Sequence, residues 1–565
     1  MQRYSELLRS ILEKRSIKTE KEAEIFLNPD FERDLYDPFK MKDMEKACVK
    51  LFECIENKEK IIIYADYDCD GIPGAVLLED LFKKINYLNY EVYIPGRNDE
   101  GYGLNLPAIE QFAKGGAKLL ITIDLGITAV SEIAQAEMNG IDVIITDHHL
   151  PKQKVQNIKR ENFLHPKLSL PHAYAILNPK VDDYPEKILC GAGVVFKLVQ
   201  GFIKKYGEFY KINNGWEKWL LDMAGLATLS DQVPLLGENR AIAYFGMKVL
   251  KKSSRPGLQK LLAKMKIDQK YLTEDDIGFM IAPRLNAASR MDDPKKAYEL
   301  LSTKDETKAG VLADHLSKIN DDRKSLVAGI MREVNKKFEK REMKEVIVIG
   351  SPEWRVGVLG LVAGKISDEH QRPVFVWGKD ENDLIKGSCR SDGSVSLVEL
   401  MTETSEFFME FGGHEFAGGF TVHNDKIHFL EEALSSSFNK VKREKTKEEI
   451  VYDIKSDLGA VNMKNWKEIE KLAPFGLANP KPVFFFEGVK IENIKKFGKN
   501  GSGEHLEITF SDTNKNKVKA ISFFSNSESF KVPLVEGGKV NLFATFDLSR
   551  FRGREELRLR IVDIL

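Results

Sequence analysis

Six carboxylates and two histidines in the first half of this 565-residue sequence fall at spacings that suit a bound cation. Asp66, Asp68 and Asp70 alternate in Asp66-Tyr67-Asp68-Cys69-Asp70-Gly71, directly after the apolar run Lys60-Ile61-Ile62-Ile63-Tyr64-Ala65. Three negative charges this close repel one another unless a hard divalent cation lies among them. Taken alone, the string also fits an acidic turn or the opening of an EF-hand-like calcium loop, though Leu77 stands where that loop needs its twelfth-position Glu. Asp124 ends a second apolar run, Leu119 to Ile123, and Asp147, His148 and His149 end a third, Val143 to Thr146. Asp231 closes Leu226-Ala227-Thr228-Leu229-Ser230, where by itself it reads more readily as an N-cap than as a ligand. Carboxylate oxygen combined with imidazole nitrogen, without a competing thiolate, suits Mn²⁺ or Mg²⁺.

Such residues work only if the chain brings the runs side by side. Each run is short, β-branched and bounded by Gly, Asp or Pro, and amphipathic stretches such as Ala75 to Ile85 and Val130 to Met138 separate them. An α/β doubly wound sheet is therefore expected over residues 46–250, with the acidic and histidine residues at the C-terminal strand ends, where open α/β sheets bind ligands. Residues 295–340 carry apolar positions at helical spacing with dense charge and no proline, so one or two long connecting helices are expected. A second α/β lobe opens with Val346 to Gly350 and continues with Pro373 to Trp377. Past the charge-rich segment 440–449, the runs Val483 to Phe486, His505 to Phe510 and Leu557 to Val562 suggest a small β-barrel.

Composition bounds the function classes. With 85 Lys+Arg against 86 Asp+Glu the formal charge is −1, which argues against a nucleic-acid binder held by bulk positive charge but leaves room for a local basic groove. The hydrophobic share of 42% and the 33 Phe exclude a disordered chain. Five scattered cysteines, none in a CxxC pair, suggest neither a disulfide framework nor a thiolate zinc site. The start is an amphipathic polar segment, and no run of about 18 apolar residues occurs. A cytoplasmic protein without membrane association is expected.

The ordered set DYDCDG, TIDLGIT, TDHH and ATLSDQVPL resembles motifs one to four of the DHH phosphoesterase superfamily, and its spacing is similar to that of the branch of single-stranded-DNA exonucleases. The likeness extends through PGRNDEGYGL (95–104), AILNPK (175–180), LCGAGVVFKL (189–198), IAPRLNAASRM (281–291), EWRVGVLGLVAGKI (353–366), KGSCRS (386–391) and FGGHEFAGGF (411–420). It implies an α/β fold with a DHH lobe (46–275), a helical connector (276–340) and a DHH-associated DHHA1 lobe (341–440). An N-terminal segment (1–45) precedes these and an OB-fold barrel (446–565) follows them.

The resemblance further implies two divalent metal ions, Mn²⁺ or Mg²⁺, with Asp68, Asp70, Asp124, His148 and Asp231 as ligands and Asp124 between them. Asp66 and Asp147 would be outer or substitute ligands, and His149 would hydrogen-bond the phosphoryl oxygens. Pyrophosphatase relatives carry a ligand His where this sequence has Tyr64, a departure that favours a nuclease. Arg97, Ser388 and Arg390 fall in segments resembling a 5′-phosphate pocket. Gly413 and His414 would meet the terminal nucleotide, and Arg284, Asn286 and Arg290 the backbone that follows.

The activity so implied is metal-dependent 5′-to-3′ degradation of single-stranded DNA to 5′-mononucleotides, in repair and recombination, with a RecQ-type helicase and a single-strand-binding protein as partners. Residues 451–565 hold 19 Lys+Arg and 15 Asp+Glu, a net of +4, and place Lys495, Lys496, Phe497 and Lys499 in one expected loop and Arg550, Phe551, Arg552 and Arg554 in another. Such loops offer phosphate contacts beside stacking surfaces. Phe484 to Phe486 are expected in the core. Two alternatives stay open: a DHH phosphodiesterase acting on short oligonucleotides or cyclic dinucleotides, and a non-catalytic DHH scaffold that binds DNA.

Overall fold

The computed structural model describes residues 1–97, 100–153, 168–339, 341–443, 451–498, 505–523, 525, 529–550 and 554–565. They gather into two units, one of Tyr36–Val233 with Phe245–Lys447, the other of Met1–Leu35 with Pro234–Tyr244 and Glu448–Leu565.

In the larger unit the β-branched runs form a parallel sheet. Strands β1 (Lys60–Ala65), β2 (Tyr90–Tyr93), β3 (Ala117–Ile123), β4 (Asp142–Thr146) and β5 (Ala175–Leu177) stand in the order β2-β1-β3-β4-β5. One face packs Ile62, Tyr64, Leu120 and Ile145 against Ile109, Phe112 and Ile133 of helices Leu106–Lys114 and Val130–Met138. Helices α1 (Gly71–Lys84) and α2 (Gly191–Tyr206) cover the other, with Gly74 against Ile123 and Ala192. Burial on both faces is why these strands read as continuous apolar runs without alternation. The strand order reverses between β1 and β3, so their C-terminal ends flank a topological switch point.

Helix α3 (Leu221–Ser230) packs beside α1 and α2, and α4 (Ala282–Met291) leads to helix Lys295–Ser302 and then α5 (Glu306–Phe338). Asp305 caps α5 by accepting from the Thr307 and Lys308 amides. At 1.5 Å per residue α5 runs about 50 Å. Its Val327, Ile330 and Val334 pack on the second sheet with Val358, Val362 and Ile366, the last two from α6 (Leu359–His370). That sheet holds β6 (Ile347–Gly350), β7 (Val374–Lys379), β8 (Ile385–Arg390), β9 (Phe408–Gly413) and β10 (Ala417–Val422) in the order β9-β10-β8-β7-β6, with β6 and β7 parallel and the other neighbours antiparallel.

The smaller unit is a closed barrel. Strands β11 (Ile454–Ser456), β12 (Phe484–Phe497), β13 (His505–Ser511), β14 (Lys517–Phe523), β15 (Lys539–Ser549) and β16 (Glu556–Ile564) run in the order β11-β12-β13-β14-β16-β15, and β12 pairs again with β15 to close it. This five-stranded closure with a short added strand is the OB architecture. Phe484 and Phe486 are fully buried in its core, as expected, but the expectation for Phe485 is corrected: strand alternation turns it to the opposite face, where it stacks on Phe543. Residues of the N-terminal segment belong to the same core, since Leu8, Ile11, Leu12, Phe26 and Leu27 pack with the barrel. Lys495, Lys496 and Phe497, expected in a loop, instead end strand β12, because the apolar alternation runs on to Ile494. Lys499, Phe551 and Arg552 lie outside the described residues. Among the described residues no helix is long and apolar enough to cross a membrane. All five cysteines are buried and unpaired.

Candidate active site

All eight acidic and histidine residues singled out from the sequence converge at the C-terminal ends of β1, β3 and β4. Ligand-type atoms of Asp66, Asp68 and Asp124 lie within 4.8 Å of one another, as do those of Asp70, His148 and Asp231, and those of Asp124, His148 and His149. Asp124 and His148 each belong to two of these groups, so the three make one continuous cluster.

Local structure fixes each carboxylate. Past β1 the chain turns into α1 without forming a calcium-type loop: Asp68 accepts from the Asp70 and Gly71 amides at 2.8 and 3.2 Å. Asp70 docks on the N-terminus of α2, accepting from Gly191 at 2.6 Å and Ala192 at 2.7 Å, where the helix presents unpaired amides and positive dipole. Asp124 takes φ 61°, a left-handed conformation that Asp tolerates, and its amide donates to Thr146. Gly191 allows the close approach, because a Cβ there would lie 2.5 Å from the Asp124 Cβ. Asp231 is the C-cap of α3; the N-cap alternative is corrected, since the apolar run before it is a helix end.

Asp147 is used up by protein donors. Its Oδ1 accepts from the His148 and His149 amides and lies 2.8 Å from His149 Nδ1, and its Oδ2 accepts from Ile127. It therefore orients the histidine pair. Tyr64 points into the core, donating to the Gly103 carbonyl and accepting from Asn105.

Negative charge is crowded, and Lys180 offsets only part of it. Burial and then Asp68 push the Asp70 carboxyl up to about 6. Enclosure, Asp70 and Asp68 push Asp231 up to about 9. Asp66 and Asp124 are raised well above the carboxylate range by burial and by the neighbouring carboxylates. Burial, His149 and Lys180 bring the His148 imidazole down to about 3, so it is neutral and has a lone pair to offer. Burial lowers His149, but its hydrogen bond to Asp147 outweighs this and holds it above the ordinary value. Asp66 Oδ1, Asp124 Oδ1 and His148 Nδ1 are buried and make no hydrogen bond, although Asp124 Oδ1 lies 3.1 Å from His148 Nε2. Burial keeps the nearby Cys69 and Cys190 thiols protonated. Orphaned oxygen and imidazole nitrogen without thiolate fit hard or borderline divalent cations, Mg²⁺ and Mn²⁺.

A second cluster carries the opposite sign. Burial and then Arg97 and Arg323 lower Arg290 to about 10, and burial and Arg97 lower Arg390. Among the described residues, none of Arg97, Arg284, Arg290, Arg323 and Arg390 has an ion-pair partner within 4.0 Å. Ser388 and Arg390 lie on β8 against Gly360 of α6, where a Cβ would stand 3.0 Å from the Arg390 guanidinium and 3.5 Å from Ser388 Oγ. Arg284 is turned inward, donating to the Met280 carbonyl, and the Asn286 Oδ1 is buried without a partner. His414 lies within electrostatic reach of His149 and Lys180, which brings the β9–β10 turn to the first cluster. Gly413 there has φ 141°, and a Cβ would collide with the Ala417 carbonyl at 2.3 Å.

Four further residues belong here. Lys180 acts on Asp231, Asp147 and Asp124 electrostatically; its amide donates to Asn178, whose side chain holds the His149 carbonyl. Its place after β5, next to β4, was a usable signal once the strand order is known. Tyr67 and Tyr102 lie beside the acidic cluster, and Arg323 comes from the charged face of α5, where nothing in the sequence distinguishes it.

Comparison with known proteins agrees with this architecture. Models of the DHH family N-terminal domain, the DHHA1 domain and the RecJ OB domain match residues 60–228, 343–442 and 452–563. The chain is 32% identical to the single-stranded-DNA-specific exonuclease RecJ of Bacillus subtilis over 99% of its own length and 67% of that protein. It is 29% identical to the Haemophilus influenzae enzyme of that name, over 94% and 92%. Its fold matches RecJ of Thermus thermophilus in complex with Mn²⁺ at TM-score 0.80 and 24% identity, covering 99% of this chain and 76% of that one. A further structure, exonuclease RecJ bound to manganese, matches at 0.61 and 27%, over 72% and 97%.

Proposed function

The chain belongs to the RecJ family, and from that premise we propose that it is a metal-dependent exonuclease degrading single-stranded DNA from the 5′ end to 5′-mononucleotides. The observation that carries this is the pairing, in one unit, of a crowded carboxylate–histidine cluster, only partly offset by Lys180, with an arginine cluster that has no ion-pair partner within 4.0 Å among the described residues. The first is what two divalent cations require and the second is what a terminal phosphate requires. Asp66, Asp68 and Asp124 would hold one cation, and Asp70, His148 and Asp231 the other, with Asp124 facing both. Asp66 thereby takes a direct role, supported by its orphaned oxygen, while Tyr64 is spent in the core. Bound divalent cations would supply an activated water and stabilisation of the leaving oxygen.

The chain's own residues do the rest. Asp147 holds His149 in one orientation, so that its other ring nitrogen is available to a phosphoryl oxygen. Arg97, Arg290, Arg390 and Ser388 bind the terminal phosphate, and His414 closes on the same nucleotide. Arg284 and Asn286 support the following backbone from the α4 side. On the barrel, the rings of Phe497, His505 and Phe523 follow one another at 5.2 and 5.5 Å, with Arg558 and Arg560 over Phe523, a surface suited to stacked bases and backbone phosphate. A RecQ-type helicase and a single-strand-binding protein complete the reading as suppliers of unpaired ends, and a DNA substrate implies the cytoplasm.

The test is Mn²⁺- or Mg²⁺-dependent digestion of end-labelled single strands with either end blocked. Release of mononucleotides only when the 5′ end is free supports the reading. Release from a blocked 5′ end, or faster turnover of dinucleotides than of long strands, overturns it.

A further inference from the structure

One buried arginine outside both clusters joins the two helices that carry Asp70 and Asp231. Arg255 Nε donates to Asp222 Oδ2 at 2.7 Å, and its Nη2 donates to Asp80 Oδ2 at 2.6 Å and to Asp222 Oδ1 at 3.2 Å. Ser253 Oγ donates to the same Asp222 Oδ2 at 2.8 Å. Both Arg255 and Asp222 are buried. Burial works against the guanidinium charge, but Asp222 and then Asp80 outweigh it and raise Arg255 above its ordinary value. The base of this side chain is itself fixed. A Cβ on Gly257 would stand 1.7 Å from the Leu300 carbonyl oxygen, so the segment lies directly on helix Lys295–Ser302.

Asp70 immediately precedes α1, and Asp80 lies ten residues further on, about 15 Å of helix. Asp222 stands in the first turn of α3, and Asp231 caps that helix nine residues on, about 14 Å away. Ligand atoms of Asp70 and Asp231 share one group within 4.8 Å, and Asp80 and Asp222 share one guanidinium. The two helices therefore run antiparallel with a rung at each end. Apolar packing alone sets the axial register of α3 poorly, because Leu221 to Leu229 are buried without a break and so on every side, and Ala224, Gly225 and Ala227 offer little relief. At Gly225 helix Gly237–Leu250 comes so close that a Cβ on Gly246 would stand 2.6 Å from the Gly225 Cα. A buried ion pair adds little net stability, since desolvation offsets its attraction, and its best-attested use is to fix register. Resting on the metal-dependent exonuclease reading, we propose that Arg255 is a positioning residue: by clamping Asp222 to Asp80 it sets the register of α3 on α1, and with it the separation of Asp231 from Asp70. A slip of one residue would move Asp231 by about 1.5 Å, far beyond the tolerance of about 0.2 Å in a metal–ligand distance.

The test separates register from stability. Asp80→Leu, Asp222→Leu and Arg255→Met together replace the network with apolar side chains and leave no buried charge unpaired, an exchange that is often neutral or stabilising. Arg255→Lys keeps the charge and loses the fork, and it decides the question if the triple variant does not fold. Each folded variant should keep the wild-type circular dichroism without metal, while Mn²⁺ affinity by calorimetry falls about tenfold to a hundredfold, the range for groups that orient metal ligands. The rise in Tm on adding Mn²⁺ should shrink accordingly. Wild-type Mn²⁺ affinity in a folded variant overturns the clamp, and so does failure of both variants to fold, which makes the network a support of the fold alone. A wild-type protein that binds no Mn²⁺ overturns instead the metal-dependent reading on which the clamp rests.

Discussion

Replacing Gly191, the first residue of α2, with Ala should disable the acidic cluster while leaving the fold standing. A methyl carbon there would lie 2.5 Å from the Asp124 Cβ and 2.8 Å from its Cγ and Oδ1. Carbon pairs settle at about 3.5 to 4.0 Å, so about 1 Å of separation must be found. A rotamer change of Asp124 does not supply it, because the nearest atom is its Cβ, on a backbone held at φ 61° with its amide bonded to Thr146. Moving α2 instead would strain the 2.6 Å bond from Gly191 to Asp70. Either route displaces a carboxylate, and a misplacement of about 1 Å in a reacting constellation costs about a hundredfold in rate. The stability cost should be about 1–3 kcal/mol, the usual range for an overpacked methyl. Gly193→Ala is the matched control: its Cβ would meet Cys190 Sγ at 3.5 Å and Leu189 Cβ at 3.6 Å, ordinary contacts, and Ala in a helix gains up to about 1 kcal/mol over Gly. The assay is Mn²⁺-dependent turnover of a 5′-phosphorylated strand, with Mn²⁺ affinity by calorimetry and folding by circular dichroism. Wild-type turnover and Mn²⁺ affinity in Gly191→Ala, or an equal loss in Gly193→Ala, would refute the reasoning.

Asp124→Ala and His148→Ala should each abolish hydrolysis while preserving strand affinity measured by fluorescence anisotropy; turnover at the wild-type rate in either would remove the metal assignment. Arg390→Ala should lower the ratio of 5′-phosphate to 5′-hydroxyl cleavage about tenfold, the worth of a hydrogen bond to a charged group, and an unchanged ratio counts against the pocket. The Asp70 carboxyl is held above its ordinary value, so its contribution to the stability of metal-free protein is present at low pH and lost as pH rises through about 6. A shift of this size corresponds to about 3 kcal/mol. Asp66, Asp124 and Asp231 act in the same direction. The gap in Tm between Mn²⁺-loaded and metal-free protein should therefore widen from pH 5 toward pH 9, and a constant or narrowing gap contradicts the crowded cluster.

The strand ends were legible because β-branched runs bounded by Asp and Gly are read locally, and strand order in a doubly wound sheet then brings their ends together. Asp231 was less so, because a short apolar run before it reads equally as strand or helix, and it ends α3. The side on which Asp66 falls was not readable from alternation along a turn, which gives spacing without direction. Lys180, Tyr102 and Arg323 depend on which elements lie side by side, and no local pattern carries that. The same holds for Leu8, Ile11 and Leu12, whose partners in the barrel core, Phe484 to Ile564, are more than 450 residues further along the chain.

The near-zero net charge conceals a separation that function requires. In the larger unit, carboxylates crowd one cluster that Lys180 offsets only in part, and guanidiniums crowd another with no ion-pair partner within 4.0 Å among the described residues. Pairing the two would stabilise the folded chain and neutralise both, yet the rings that span the interval are Tyr67 and Tyr102, which carry no charge. Each cluster is thereby kept at a high potential of its own sign. A phosphodiester strand with its counter-cations supplies both missing partners at once, the terminal phosphate to the arginines and the metals to the carboxylates. The electrostatic cost carried by the metal-free fold is released on binding, so the repulsion within the acidic cluster adds to ligand affinity.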